Sequence, residues 1–157
     1  MARHRYHVQL RWSDMDALRH VNNVQFLRFL EDARVQMLVE VGRRNLESEL
    51  GAVVARHEID YRRPLLFRAA PVVVDTWVTR IGRTSYTVSY EVREPDGDVV
   101  YATATTVMVM VDLPTGQARP IDARMRIALE QFLDDGALAD GDANVAGLVT
   151  EPGPVTA

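Results

Sequence analysis

The 157-residue chain reads as one α+β domain, in which a long helix packs against a curved antiparallel sheet of five or more strands. Three observations carry that expectation. Apolar residues recur at helical spacing from Asn23 to Val41, four long stretches rich in Val, Thr, Tyr and Trp follow at short intervals, and a second amphipathic segment closes the pattern at Leu133.

Taken in order, residues 5–12 alternate Tyr6, Val8, Leu10 and Trp12 against polar neighbours, which predicts a half-buried strand. The central helix follows, with Phe26, Leu27, Leu30, Ala33, Met37, Leu38 and Val41 on its stripe, Asn22 and Gln25 as a variant capping box, and Gly42 as the stop. Phe29 and Val35 widen the stripe, so this helix is expected to be largely enclosed. A short turn over Leu46 to Leu50 is expected next. Residues 52–63, 71–81, 84–94 and 98–112 then read as strands, and the short joints between them, Pro95-Asp96-Gly97-Asp98 above all, predict an antiparallel meander. Both faces of residues 107–111, Val-Met-Val-Met-Val, are apolar, so a second subunit is expected over the outer face. Pro120 opens the last helix, Ile121 to Leu133, and ends the folded domain at 1–133. Residues 134–157 hold four Gly, two Pro, five acidic residues and no arginine, a composition that predicts a flexible acidic tail.

Composition removes several kinds of chemistry. There is no cysteine, so disulfides, thiolate metal sites and cysteine nucleophiles are excluded; all 18 basic residues are arginine, which excludes Schiff-base lysines as well. A net charge of −4 argues against nucleic-acid binding. No apolar run is long enough to span a membrane, the N-terminus lacks a secretory h-region, and a cytoplasmic location is expected. The histidines His4, His7 and His57 are scattered, and no metal site is expected. Ser13 and Ser85 lack the Gly-x-Ser-x-Gly setting of a serine hydrolase.

The chemistry concentrates between Asp14 and Asn23, where two carboxylates, the His20 imidazole and two capping amides precede the helix. A carboxylate beside a helix N-terminus suits acyl transfer, because it can attack or activate water while free backbone N–H groups stabilise an oxyanion. An imidazole suits acid–base work near neutrality, so His20 could orient a carboxylate, move protons or simply brace the loop. Asn22 and Asn23 are placed to cap the helix.

Four segments, in order, carry a family resemblance: Arg11-Trp12-Ser13-Asp14-Met15-Asp16 leading into His20-Val21-Asn22-Asn23; Phe29-Leu30-Glu31-Asp32-Ala33-Arg34; Glu58-Ile59-Asp60-Tyr61-Arg62-Arg63-Pro64; and Arg80-Ile81-Gly82-Arg83-Thr84-Ser85-Tyr86. Together, over roughly residues 5–133, they resemble the hotdog-fold acyl-CoA thioesterases of the 4-hydroxybenzoyl-CoA thioesterase-like family. The resemblance implies a hotdog subunit paired through its sheet edge into a homodimer, often doubled to a tetramer, with acyl-CoA bound between subunits. It implies Asp16 as the catalytic carboxylate, with His20 and Asn23 beside it. Backbone N–H groups of Asn23 and Val24 would polarise the thioester carbonyl, and Arg83, Thr84 and Ser85 would meet the pantetheine-phosphate arm. Coenzyme A is then part of the substrate, a fatty or aromatic acyl-CoA, and no separate cofactor is expected. Leu18 stands where plant acyl-carrier-protein thioesterases carry Asn. An acyl-carrier-protein thioesterase and a non-catalytic acyl-ligand-binding hotdog protein are the alternative expectations.

Overall fold

The computed structural model describes residues 3–42 and 51–134. In chain order the elements are β1 (His4–Val8), a 3-10 turn (Trp12–Asp14), α1 (Asn23–Gly42), β2 (Ala52–Tyr61), β3 (Val72–Ile81), β4 (Ser85–Arg93), β5 (Val100–Asp112), the short β6 (Gln117–Ala118) and α2 (Ala123–Glu130). The strands form one six-stranded sheet in the order β1-β3-β4-β5-β2, antiparallel throughout, with β6 added to β5. This is the α+β hotdog arrangement expected from the sequence. The expected turn at Leu46 to Leu50 lies outside the described residues, as does the expected tail beyond Asp134.

One face of α1 carries Phe26, Phe29, Leu30, Ala33 and Met37, all buried, and rests on the inner face of β3, β4 and β5, where Val74, Val88, Tyr90 and Met110 are buried in turn. Full burial of each Val, Leu, Phe or Met among them stabilises the fold by about 1.5–3 kcal/mol. The helix is less enclosed than its wide stripe suggests: Val24, Leu27 and Val35 lie 67%, 36% and 46% exposed on the opposite side. Within one subunit the sheet reaches only one side of α1, so the surplus apolar residues face outward.

Several boundaries depart from the sequence pattern. β1 ends at Val8, not at residue 12, because Trp12 enters the 3-10 turn and its side chain is 74% exposed. α2 begins at Ala123 behind Asp122, whose carboxylate accepts the Met125 N–H at 2.8 Å and so caps the helix later than Pro120 suggests. The strands do not form a simple meander, since β2 lies at the far edge beside β5. Residues 62–71 must therefore cross three strand spacings, about 14 Å, to reach β3. They do so beneath the start of α1, where Leu65 is buried and its carbonyl accepts the Val21 N–H at 2.7 Å. The β4–β5 hairpin turns at Gly97, whose φ of 93° is the conformation glycine adopts without strain.

The outer sheet face needs less cover than its apolar strands imply. Over β1, β3 and β4 the chain covers itself with charge: Arg5 and Arg93 meet the buried Asp75, Arg3 and Arg93 meet the buried Glu91, and the Arg3 guanidinium lies 3.6 Å over the Trp77 ring. Val107, Val109 and Val111, farther along on β5, remain half-buried there. The long exposed element is β2, a ten-residue edge strand with Val53 and Val54 each 42% exposed.

Candidate active site

The site is built by the loop that joins the 3-10 turn to α1. A bridge between Met15 and Val21 closes this loop, the Asp16 N–H donates to the His20 carbonyl at 3.1 Å, and the Arg19 N–H donates to the Asp16 carbonyl at 3.0 Å. Arg19 takes the tight corner at φ 61°, a conformation unusual for a residue with a side chain. Asp14 anchors the base. Fully buried, it accepts the Arg11 N–H at 2.8 Å, pairs with the Arg11 guanidinium at 3.2 Å and receives Arg28 from α1 at 3.1 Å. Its role is therefore to tie the loop to the first turns of the helix.

Asp16, two residues on, is partly exposed and lines a cavity of 420 Å³ together with His20, Asn22, Asn23, Tyr61 and Arg63. Asp16 Oδ1 accepts the Leu18 N–H at 2.9 Å, and among the described residues no protein donor meets Oδ2. The structure thus brings the expected Asp16, His20 and Asn23 to one cavity at the head of α1.

The helix end is capped by Asn22, whose Oδ1 accepts the Val24 N–H at 2.9 Å. That N–H, expected to face substrate, is engaged by the cap in this structure. Gln25 does not complete the box, because its Oε1 accepts from Arg28 Nε at 3.1 Å. The Asn23 N–H has no protein acceptor among the described residues, and it opens at the positive end of the helix dipole.

Arg83, Thr84 and Ser85 are not part of this cavity within one subunit. Ser85 opposes Val109 on β5, whereas Tyr61 opposes Ala102, a separation of about 23 Å along the strand. Arg83 is exposed at the β3–β4 turn, where its carbonyl accepts the Ile121 N–H.

Tyr61 and Arg28 belong to the site's framework but were not singled out by the sequence reading. The Tyr61 hydroxyl donates to the Asn23 carbonyl at 3.0 Å, and burial pushes its pKa up, which keeps it a donor. Its signal was its place in the Glu58–Pro64 segment. Arg28 could have been found from its i,i+4 spacing to Asp32, an ion pair of 3.4 Å that orients the guanidinium near Asp14. Arg34, the arginine of the Glu31–Arg34 segment, is buried and donates to the Tyr90 hydroxyl at 3.0 Å, which joins helix to sheet. Among the described residues no group of three or more His, Asp or Glu side chains could hold a metal, and no helix is long and apolar enough to cross a membrane.

A carboxylate that lines the same space as a helix N-terminus can attack or activate water at a carbonyl whose oxygen the helix end receives. Comparison with known proteins agrees with this chemistry. The long-chain acyl-CoA thioesterase FadM of Escherichia coli (strain K12) is 29% identical over 133 residues, covering 80% of this chain and 96% of FadM. A thioesterase of Thermus thermophilus, crystallised with coenzyme A and zinc, is 30% identical with a TM-score of 0.69, covering 82% of this chain and 92% of that one. A Bacillus stearothermophilus protein described as a predicted thioesterase superposes with a TM-score of 0.78 at 26% identity, covering 87% of this chain and all of that one. The family model of the thioesterase-like superfamily matches residues 10–129, and the chain belongs to that superfamily.

Proposed function

We propose that this protein is an acyl-CoA thioesterase, hydrolysing an acyl-CoA to the free acid and coenzyme A with Asp16 as its catalytic carboxylate. The observation that carries the reading is the shared cavity: Asp16 and the first residues of α1 line one space. The thioester oxygen would sit on the Asn23 N–H, and Asp16 Oδ2 would face the carbonyl carbon. As a base, Asp16 takes a proton from water as the water oxygen adds to carbon. As a nucleophile, it forms a mixed anhydride that water then opens. Either way the C–S bond breaks and coenzyme A leaves as a thiolate that takes up the proton. His20 and the Tyr61 hydroxyl complete the polar wall.

The site is proposed to be completed by a second copy. The exposed edge strand β2 and the outward stripe of Val24, Leu27 and Val35 are surfaces a partner would cover. Two β2 strands paired antiparallel about a two-fold axis reverse their ends. Arg83 of the partner subunit would then approach the Tyr61 end and the Asp16 cavity, able to meet the coenzyme A phosphates. We set this homodimer, which could pair further into a tetramer, in the cytoplasm and give it no cofactor beyond the coenzyme A of its substrate.

The test is Asp16→Asn. Thiol release from acyl-CoA should fall by about 10²–10⁴, with circular dichroism and mass by light scattering unchanged; full activity in a folded variant removes Asp16 from the mechanism. Assaying matched acyl-carrier-protein thioesters alongside distinguishes the two carriers.

A further inference from the structure

Asp16 forms a wall common to two cavities. Besides the mixed space at the head of α1, it borders a second cavity of 740 Å³, lined with Trp12, Met15, Arg19, Leu66 and Phe67. We propose that this second cavity receives the acyl chain of the thioester, and that Trp12 and Phe67 determine which chain lengths are cleaved fast. The proposal rests on the acyl-thioester reading above and assigns the two arms of the substrate.

A thioester has two arms diverging from the carbonyl carbon, and a catalytic carboxylate between two spaces lets each arm take one. The walls differ in chemistry. The cavity at α1 sets His20, Asn22, Asn23, the Tyr61 hydroxyl and Arg63 among apolar residues such as Leu18 and Phe26, a mixed wall whose polar groups suit the amides and phosphates of the pantetheine arm. Apart from Asp16 and Arg19, the other wall is apolar, and an acyl chain asks for nothing else. Its volume falls within the range of about 300–1,000 Å³ usual for small-molecule sites.

The apolar wall is also held in place. The Trp12 and Phe67 rings meet edge to face at 5.7 Å, Leu65 beside them is buried and bonded to Val21, and Arg68 is locked to Glu94 at 2.7 Å. Yet the wall faces water: Trp12 is 74% exposed, Leu66 57% and Phe67 37%. A fixed, adjoining set of exposed apolar side chains marks a surface that something covers. Its border on Asp16 selects the substrate's own chain as the occupant.

The experiment measures kcat/KM for acetyl-, hexanoyl- and dodecanoyl-CoA in the full chain and in Trp12→Ala and Phe67→Ala, with light scattering for mass. Each buried methylene is worth about fourfold in kcat/KM, so the unaltered protein should gain with length. Each variant should lose at least about tenfold on dodecanoyl-CoA and less than about twofold on acetyl-CoA, at unchanged mass. Equal losses at all lengths, no loss, or no gain with length in the unaltered protein would overturn the assignment. A change of mass would overturn it too, making the patch a subunit contact. Absence of thiol release from every acyl-CoA by the unaltered protein would instead remove the underlying thioesterase reading. As a second readout, dodecanoyl-CoA added to Asp16→Asn should change the tryptophan emission, and the further change Trp12→Phe should abolish that response; an identical response without Trp12 counts against the proposal.

Discussion

Asp14 and Asp16 are two residues apart and have opposite surroundings. Asp14 is fully buried between two arginines, whereas Asp16 is partly open and uses one oxygen on its own loop. Their residue type and spacing were legible in the sequence; the sorting depends on Arg28, which reaches Asp14 only once α1 is packed. A third acid, Glu94, braces the loop that carries Phe67 through Arg68. Arg68 holds the Glu94 carboxyl below its ordinary pKa of 4.5 against the opposing effect of burial, with a smaller contribution from the Tyr101 hydroxyl, which also donates to Glu94. A carboxyl whose pKa is lowered by folding contributes stability that is full above its unfolded value and lost as pH falls through its folded one. The unaltered protein should therefore exceed Glu94→Gln in Tm at pH 6, and the difference should shrink on acidification below 4.5. Thermal melts of both proteins between about pH 3 and 6 measure this, and a difference independent of pH would mean that Glu94 acts through packing alone.

The elements were easier to read than their neighbours. The alternation of Tyr86, Val88, Tyr90 and Val92 marks β4 correctly, because a buried sheet face imposes a period of two. Nothing in β2 itself tells which strand it joins. Its partner is β5, paired from Ala52–Met110 to Tyr61–Ala102, and only the crossing of residues 62–71 beneath α1 makes that order possible. The same crossing brings Tyr61, Arg63 and Leu65 under the helix start, so the missed topology is also what assembles the site. It leaves β2 as a long, exposed edge, which soluble proteins pair, cover or charge. If a second copy pairs with it, Val54→Lys should leave the subunit folded, because Val54 is 42% exposed, and should move the protein from dimer to monomer mass in light scattering. A dimer that persists in this variant places the contact elsewhere.

For the whole molecule, the proposed dimer makes a prediction about Arg83, at one end of the sheet, and Asp16, at the other. Within one subunit Arg83 lies about 23 Å along the strands from the Tyr61 end. No side-chain rearrangement closes that distance, whereas in the proposed dimer a two-fold axis at β2 would turn the Arg83 end of one copy toward the Asp16 end of the other. Such an arrangement makes each active site a composite, and composite sites complement. In a mixed dimer of Asp16→Asn with Arg83→Glu, one site regains both unaltered groups and the other loses both. Random exchange of equal amounts puts half the molecules in mixed dimers, so activity should rise to about a quarter of the unaltered level, above either variant alone. If Asp16 and Arg83 act within one subunit, every site in the mixture keeps one damaged group and no gain appears. Measuring thiol release before and after subunit exchange separates the two arrangements, and the loss of complementation on adding Val54→Lys to both variants would trace the exchange to the β2 edge.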